Sequence, residues 1–382
     1  MKKIALAVAL IAAISIGHAQ EGNNICVWNA LHMREEGGGT DDLEKATKCS
    51  DEAIANDATS GKSKTWFYRG ELYRSLFQDS ILKHKYGTSA FEAIKAFKKL
   101  YDIADPKFKD WDDVYTNLYV LGTLTFNEGV EQYQKKNYAQ AYQFFYAIKD
   151  INIVLEGKKK EPGIKLETAL KNAAISAENS GDKAAALNVY KEWLAVSPVA
   201  VAYDKYAIAL KRSGDTAQAA KIVDEGIAKF PKDANLLVEK INFFLDGGKY
   251  TEALVYVNNL LEVEPNNEGA LFIKGLAYDK LGKEDSVVYY YNKTVEVNPK
   301  YTSAYINLAA VYVNKAKTIK LDMDKLGNSS ADIKKYDEMN AQVKALYVQA
   351  KPYLEKAKDL DPNDAQVIRT LKQIDSFMAA TK

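Results

Sequence analysis

The central part of the chain repeats one pattern of apolar and polar positions four times. In each copy, apolar residues recur at helical spacing up to a glycine, and a second apolar run then ends at a proline 17 residues after that glycine. Apolar residues at every third or fourth position predict amphipathic helices, so each copy predicts two of them. The glycines are Gly181, Gly214, Gly248 and Gly282, and the prolines are Pro198, Pro231, Pro265 and Pro299.

The glycine and the proline predict where these helices end. Glycine has no Cβ atom and accepts the left-handed conformation that closes many helices, whereas proline cannot donate the next backbone hydrogen bond. A single helix pair cannot bury its own apolar face, but stacked pairs can. The prolines follow one another at intervals of 33, 34 and 34 residues, which predicts an array of helix–turn–helix units.

These residues resemble the tetratricopeptide repeat (TPR) family, most closely from Leu271 to Pro299. The resemblance implies an all-α, TPR-type helix-turn-helix solenoid of about eight repeats with a C-terminal capping helix. Two lysines, Lys240 and Lys274, depart from the family pattern because they occupy a usually apolar position. The predicted divisions are a signal peptide at 1–19, divergent TPR-like repeats at 20–167, four regular repeats at 168–299, a repeat with a helical hairpin insertion at 300–363 and a capping helix at 364–382.

The N-terminus has the three parts of a secretory signal peptide. Two lysines precede an apolar run over residues 4–16, and a short stretch of mostly small residues ends at Ala19. We predict cleavage after Ala19. The alternative is a membrane anchor, but the run is too short to span a bilayer comfortably. The mature protein is therefore expected to be periplasmic or secreted and to have no transmembrane segment.

The balance of charges argues against a nucleic-acid partner. The formal net charge is +1, from 52 basic and 51 acidic residues. Proteins that bind nucleic acids concentrate positive charge on the surface that meets the phosphates. The one short basic run, at residues 158–160, is expected to be a solvated loop.

Sequence signatures of enzymes and of cofactor sites are missing. After the predicted signal peptide, the two histidines and two cysteines form no HExxH or CxxC metal motif, and no GxSxG motif occurs. The stretch 157–163 weakly resembles a phosphate loop, but its glycine spacing is wrong and Ile164 stands where a lysine is needed. Segments 322–327 and 359–363 weakly resemble calcium loops but lack the closing glutamate. We therefore predict no enzyme activity, no catalytic residues, no cofactor and no metal.

The TPR resemblance implies where a partner would bind. In that family the first helix of each unit lines a concave groove, and the groove positions follow from their offset to the apolar anchors. The partner-binding candidates are Lys171, Asn172, Val238, Asn242, Phe272, Ile273, Leu276, Ile306 and Asn307. The predicted function is a non-enzymatic protein–protein interaction scaffold of the periplasm or cell envelope that binds a peptide segment or a partner protein. The alternative is a small-ligand or glycan receptor component on the same solenoid. The sequence specifies no oligomeric state.

Three candidates on one helix are apolar, although their face of the helix is expected to be exposed to solvent. Phe272, Ile273 and Leu276 could form a pocket for an apolar peptide segment, oriented by the amides of Asn242 and Asn307. They could instead be buried by tight curvature of the array or by the insertion that follows. Both explanations are open at the level of sequence.

The two cysteines of the mature chain are predicted to pair. Export permits oxidation. The glycines at 37–39 would fold two helices back on each other, which lets Cys26 and Cys49 face across the pair. The alternative is two unpaired buried thiols.

Residues 315–346 interrupt the regular period and are predicted to form a projecting helical hairpin with its turn at 327–330. The hairpin should expose Met323, Tyr336 and Met339, and Pro352 should kink or restart its returning helix. Such an arm would be a second interaction surface. The alternative is that it folds over the end of the array.

Overall fold

The chain is all-α over the residues that the computed structural model describes, which are 22–37 and 39–380. The predicted signal peptide at 1–19 lies outside these residues. Contacts divide the chain into two compact units, which we call unit 1, ending at Asp215, and unit 2, beginning at Thr216. The prediction of an all-α, helix-pair repeat fold is confirmed.

The helices follow one another along each unit with short connections. Unit 1 contains α1 (22–35), α2 (Thr40–Ala55), α3 (Asp57–Ser60), α4 (Ser63–Gln78), α5 (Leu82–Lys85), α6 (Ser89–Ile103), α7 (Trp111–Gln134), α8 (Tyr138–Gly157), α9 (Leu166–Ser180), α10 (Lys183–Val196) and α11 (Ala200–Ser213). Unit 2 contains α12 (Thr216–Lys229), α13 (Ala234–Asp246), α14 (Tyr250–Val263), α15 (Glu268–Lys280), α16 (Glu284–Val297), α17 (Thr302–Met323), α18 (Ser330–Leu360) and α19 (Ala365–Ala380).

The glycines of the regular repeats end the first helix of each pair, as predicted. Their φ angles are 84° at Gly181, 95° at Gly214, 67° at Gly248 and 68° at Gly282, all in the left-handed region. Each repeat proline lies two residues beyond the end of a second helix, as Pro265 does after α14. The repeat glycine and the repeat proline therefore mark the ends of the first and second helices, respectively.

Glycines inside helices allow the two helices of a pair to approach closely. A Cβ atom at Gly129 in α7 would lie 2.8 Å from the ring of Phe145 in α8. A Cβ atom at Gly275 in α15 would lie 2.7 Å from the ring of Tyr291 in α16. Because both rings are fully buried, an aromatic side chain fills the space that each glycine leaves.

A disulfide joins the first two helices of unit 1. Cys26 in α1 and Cys49 in α2 are bonded, with their Cα atoms 6.3 Å apart. Val27 and Leu43 from the same two helices are buried in the core of unit 1. The predicted pairing is thus the one present in the structure.

A buried arginine links three helices of unit 1. Arg69 in α4 is buried, and its guanidinium donates to Ser50 and Asp51 in α2 at 2.9 and 2.8 Å. It also donates to Glu92 in α6 at 3.0 Å. A guanidinium has several donors in a fixed plane, so one side chain can join these helices without leaving its charge unpaired.

The insertion at 315–346 forms a helical hairpin of α17 and α18. Ser329 caps α18 by accepting a hydrogen bond from the backbone N–H of Asp332 at 3.1 Å. Met323 is buried, so its predicted exposure was wrong; it packs into the core that α17, α18 and α19 share. Of the predicted kink or restart at Pro352, the restart is wrong, since α18 runs through that residue without a break.

The last helix, α19, covers the base of this hairpin. The ring of Phe377 in α19 lies edge-on to Tyr347 in α18, with centroids 5.3 Å apart. Asp375 accepts a hydrogen bond from Lys351 at 2.7 Å. Near the turn, Ile333 and Tyr336 remain exposed. The arm is thus covered by α19 at its base and exposed to solvent near its turn.

Candidate functional site

Seven of the partner-binding candidates lie on three first helices of unit 2. We call these residues the first-helix face. They are Val238 and Asn242 on α13, Phe272, Ile273 and Leu276 on α15, and Ile306 and Asn307 on α17. All seven side chains are half-buried, so each one divides its surface between neighbouring helices and solvent.

Packing explains much of the apolar character of this face. The ring of Phe272 lies 5.4 Å from that of Tyr291 and 5.0 Å from that of Tyr301. Ile273 packs against the core between α13 and α14, and Ile306 packs against the core of the hairpin. Apolar residues at these positions therefore stabilise contacts between repeats, and their remaining exposed area is what a ligand could use.

The two asparagines of the face have different surroundings. The amide of Asn307 donates to the hydroxyl of Tyr291 at 3.1 Å. Burial raises the pKa of Tyr291 to about 12 although this hydrogen bond lowers it, so the hydroxyl stays protonated at physiological pH. Asn242 forms no side-chain hydrogen bond with any residue in the described part of the chain. Asn242, rather than Asn307, therefore has its full bonding capacity available to a ligand.

The other two candidates, Lys171 and Asn172, lie on α9 in unit 1. Lys171 is exposed. Asn172 is half-buried, and its amide donates to the carbonyl oxygen of Thr168 one turn earlier at 2.8 Å. This local bond occupies one of the two amide hydrogens, which leaves Lys171 as the more accessible of the pair.

Lys240 and Lys274, the two lysines at usually apolar positions, each lie beside an aromatic ring. These contacts were not predicted from the sequence. The Lys240 ammonium lies 5.0 Å from the ring centroid of Phe244, and that of Lys274 lies 4.5 Å from the ring centroid of Tyr290. Such cation–π contacts let a lysine stem occupy apolar surface while its charge stays near water. The abundance of tyrosine, 25 residues, was the available signal, but it did not indicate which rings lie near a lysine.

A polar cleft of about 480 Å³ in unit 1 contains an unusual carboxyl group. Glu71 in α4 accepts a hydrogen bond from the amide of Asn117 in α7 at 3.2 Å. Burial raises the pKa of Glu71 to about 7; the bond from Asn117 and the charge of Arg74 lower it, and Asp113 and Glu35 raise it further. The folded chain therefore holds a proton on this group that the unfolded chain releases near its ordinary pKa.

Glu71→Gln is expected to stabilise unit 1 at pH 8 and to leave its stability nearly unchanged at pH 4.5. The raised pKa makes the folded wild type take up a proton as pH falls through about 7, so its stability rises from pH 8 towards the ordinary carboxyl pKa. Glutamine keeps the acceptor for Asn117 without the buried charge, and the gain at pH 8 should reach up to about 3 kcal/mol. Urea titrations at both pH values measure this difference; an equal effect at both would contradict the assignment.

The described residues show no metal centre and no membrane span. Among them, no group of three or more histidine, cysteine, aspartate or glutamate side chains could hold a metal ion. None of the helices at 22–35 and 40–380 is both long enough and apolar enough to cross a bilayer.

Comparison with known proteins returns helical repeat proteins at low identity, and no family model matches. The chain is 28% identical over 120 residues to photosystem I assembly protein Ycf3 of Rippkaea orientalis. The matched region covers 31% of this chain and 61% of Ycf3. The chain thus spans less than two thirds of that protein. A crystal structure of MamA is 17% identical, with a TM-score of 0.39, over 47% of this chain and 92% of MamA. A tetratricopeptide repeat protein from Parabacteroides merdae is 15% identical, with a TM-score of 0.42, over 66% of this chain and 98% of its own.

Proposed function

We propose that this all-α array of helix pairs, whose repeats resemble the tetratricopeptide repeat, is a non-enzymatic protein-interaction scaffold of the periplasm or cell envelope. It binds a peptide segment of a partner protein on the first-helix face of unit 2. The observation that carries this proposal is the half-burial of all seven face residues on three first helices. The signal-peptide pattern at 1–19 supports the location.

The chemistry of the face suits a peptide with an apolar side chain. Leu276 and the outer surface of Phe272 offer apolar area, and the Asn242 amide can both donate to and accept from a peptide backbone. In peptide grooves, a few apolar anchors carry most of the binding energy and surrounding polar groups fix the orientation. Leu276 is therefore the residue on which binding should depend most.

A glycan or small-ligand receptor fits this face less well. Sugar rings stack on the open surfaces of aromatic side chains, and Phe272 is the one aromatic member of the first-helix face. Its ring packs against Tyr291 and Tyr301, so neighbouring rings occupy part of the surface that a sugar would need. The peptide proposal therefore ranks first.

Leu276→Asp is expected to reduce partner recovery from an envelope extract by at least about tenfold, because it places a charge at the apolar anchor. Leu281→Asp is the matched control: it makes the same change at an exposed leucine in the turn after α15. The bait is the full chain, expressed with residues 1–19 and purified from the periplasmic fraction. Quantitative mass spectrometry of the captured proteins gives the readout. Equal recovery by both variants would contradict the binding site, and absence of the bait from that fraction would contradict the location.

A further inference from the structure

A basic cavity lies where the hairpin meets the last helix of unit 2. It has a volume of about 760 Å³ and is bordered by α17, α18 and α19. Tyr347 and Phe377, whose rings lie edge-on, contribute aromatic surface, and Leu321 is 54% exposed at its border. The charged residues that line it are Lys317, Lys320, Asp324, Arg369 and Lys372.

The four cations of this cavity have no carboxylate partner among the described residues. Lys317 and Lys320 come from α17, and Arg369 and Lys372 come from α19, so positive charge lines two different helices. Some lysines elsewhere in unit 2 do form ion pairs: Lys240 with Asp224, Lys315 with Glu284, Lys325 with Asp322 and Lys351 with Asp375. With Asp324 as the one carboxylate, the lining therefore carries a net charge of +3.

The cavity combines this charge with apolar surface. The ammonium of Lys320 lies 5.0 Å from the ring centroid of Phe377, which places one charge directly beside the aromatic wall. An arginine guanidinium presents a planar fork of donors that fits a carboxylate. A pocket with apolar walls and a few converging charges fixes a ligand by shape and orients it by charge.

We propose that this cavity is a docking site for an acidic peptide segment that carries an apolar side chain between its carboxylates. The carboxylates pair with the cations of α17 and α19, and the apolar side chain packs on Phe377 and Leu321. A small inorganic anion would satisfy the charges but not the apolar wall, which favours a peptide. The site is separate from the first-helix face, so it gives unit 2 a second partner surface and does not depend on the function proposed above.

The test is fluorescence anisotropy of the full chain with a fluorescein-labelled peptide in which glutamates flank a single phenylalanine. Wild type should bind saturably, and Lys320→Glu with Arg369→Glu should weaken binding by at least about tenfold, because two attractive charges become repulsive. Replacing the phenylalanine of the peptide by serine should weaken binding by roughly tenfold. Raising the salt concentration from about 0.05 to about 0.5 M should also weaken it.

Two further variants keep this test decisive. Lys280→Glu with Lys283→Glu makes the same change of net charge at the last residue of α15 and at the residue before α16, and this variant should bind as wild type does. Lys317→Gln with Lys372→Gln removes two positive charges without introducing negative ones. It should also weaken binding of the peptide, and circular dichroism checks that each variant is folded. The proposal is overturned if wild type fails to bind, if the control loses as much affinity as the cavity variant, or if inorganic phosphate or the serine peptide competes as well as the phenylalanine peptide.

Discussion

Replacing both Cys26 and Cys49 by serine is expected to lower the free energy of unfolding of unit 1 by about 3 kcal/mol. The disulfide closes a loop whose ends are 23 residues apart, and it restricts the unfolded chain far more than the folded one. The other contacts of α1 include the burial of Val27 and Ala30 in the core, a hydrogen bond that Asn24 donates to Thr65 at 3.0 Å, and the ion pair of Arg34 with Asp79 at 2.5 Å. The disulfide adds to these contacts a covalent link between α1 and α2.

Tryptophan fluorescence during urea unfolding isolates this effect. All four tryptophans, at positions 28, 66, 111 and 193, lie in unit 1, so the signal reports that unit alone. Adding a reductant to wild type should reproduce the loss, and adding it to the double variant should change nothing. If wild type and the double variant unfold at the same urea concentration, noncovalent contacts alone hold α1 in place and the expectation is wrong.

The repeat fold could be predicted because its signals are local. A glycine with a left-handed φ and a proline after the second helix act within a few residues, so Gly282 and Pro299 mark boundaries whatever surrounds them. The turn of the hairpin followed from the same kind of signal, since Ser329 caps α18 through its own backbone neighbours. These features depend on short-range chemistry that a single sequence displays.

The character of the candidate site depended on longer-range contacts. The sequence predicted that Phe272 lies on a solvent-exposed helix face, but it did not show that Tyr291 and Tyr301 pack against its ring. It predicted that Met323 would be exposed, because the helical stripe alone did not show that α19 returns to cover the base of the hairpin. Lys320 and Arg369 line the same cavity because α19 packs against the hairpin of α17 and α18, although the two residues are far apart in the sequence. Such groupings follow from tertiary structure, which the pattern along one helix does not specify.

A pair of glycines in α7 allows the close packing of helices to be measured. Gly129→Ala is expected to destabilise unit 1, because its new Cβ would lie 2.8 Å from the ring of Phe145, which is fully buried and would have to shift within the core. Overpacking of this kind costs about 1–3 kcal/mol. Alanine recovers about 1 kcal/mol through its higher helix propensity, so the net loss should be up to about 2 kcal/mol.

Gly122→Ala is the matched control, because it makes the same change in the same helix and gains the same helix propensity. Its new Cβ would lie 3.7 Å from the nearest atom, a methyl carbon of Ile151, which is ordinary van der Waals contact. This variant should therefore be more stable than wild type by about 0.5–1 kcal/mol. The gain in helix propensity cancels between the two variants, so their free energies of unfolding should differ by the overpacking cost, roughly 1–3 kcal/mol, with opposite signs relative to wild type. Urea unfolding followed by tryptophan fluorescence measures the difference. If both variants are stabilised equally, Phe145 has room to shift, and close approach at Gly129 is not what sets the spacing of α7 and α8.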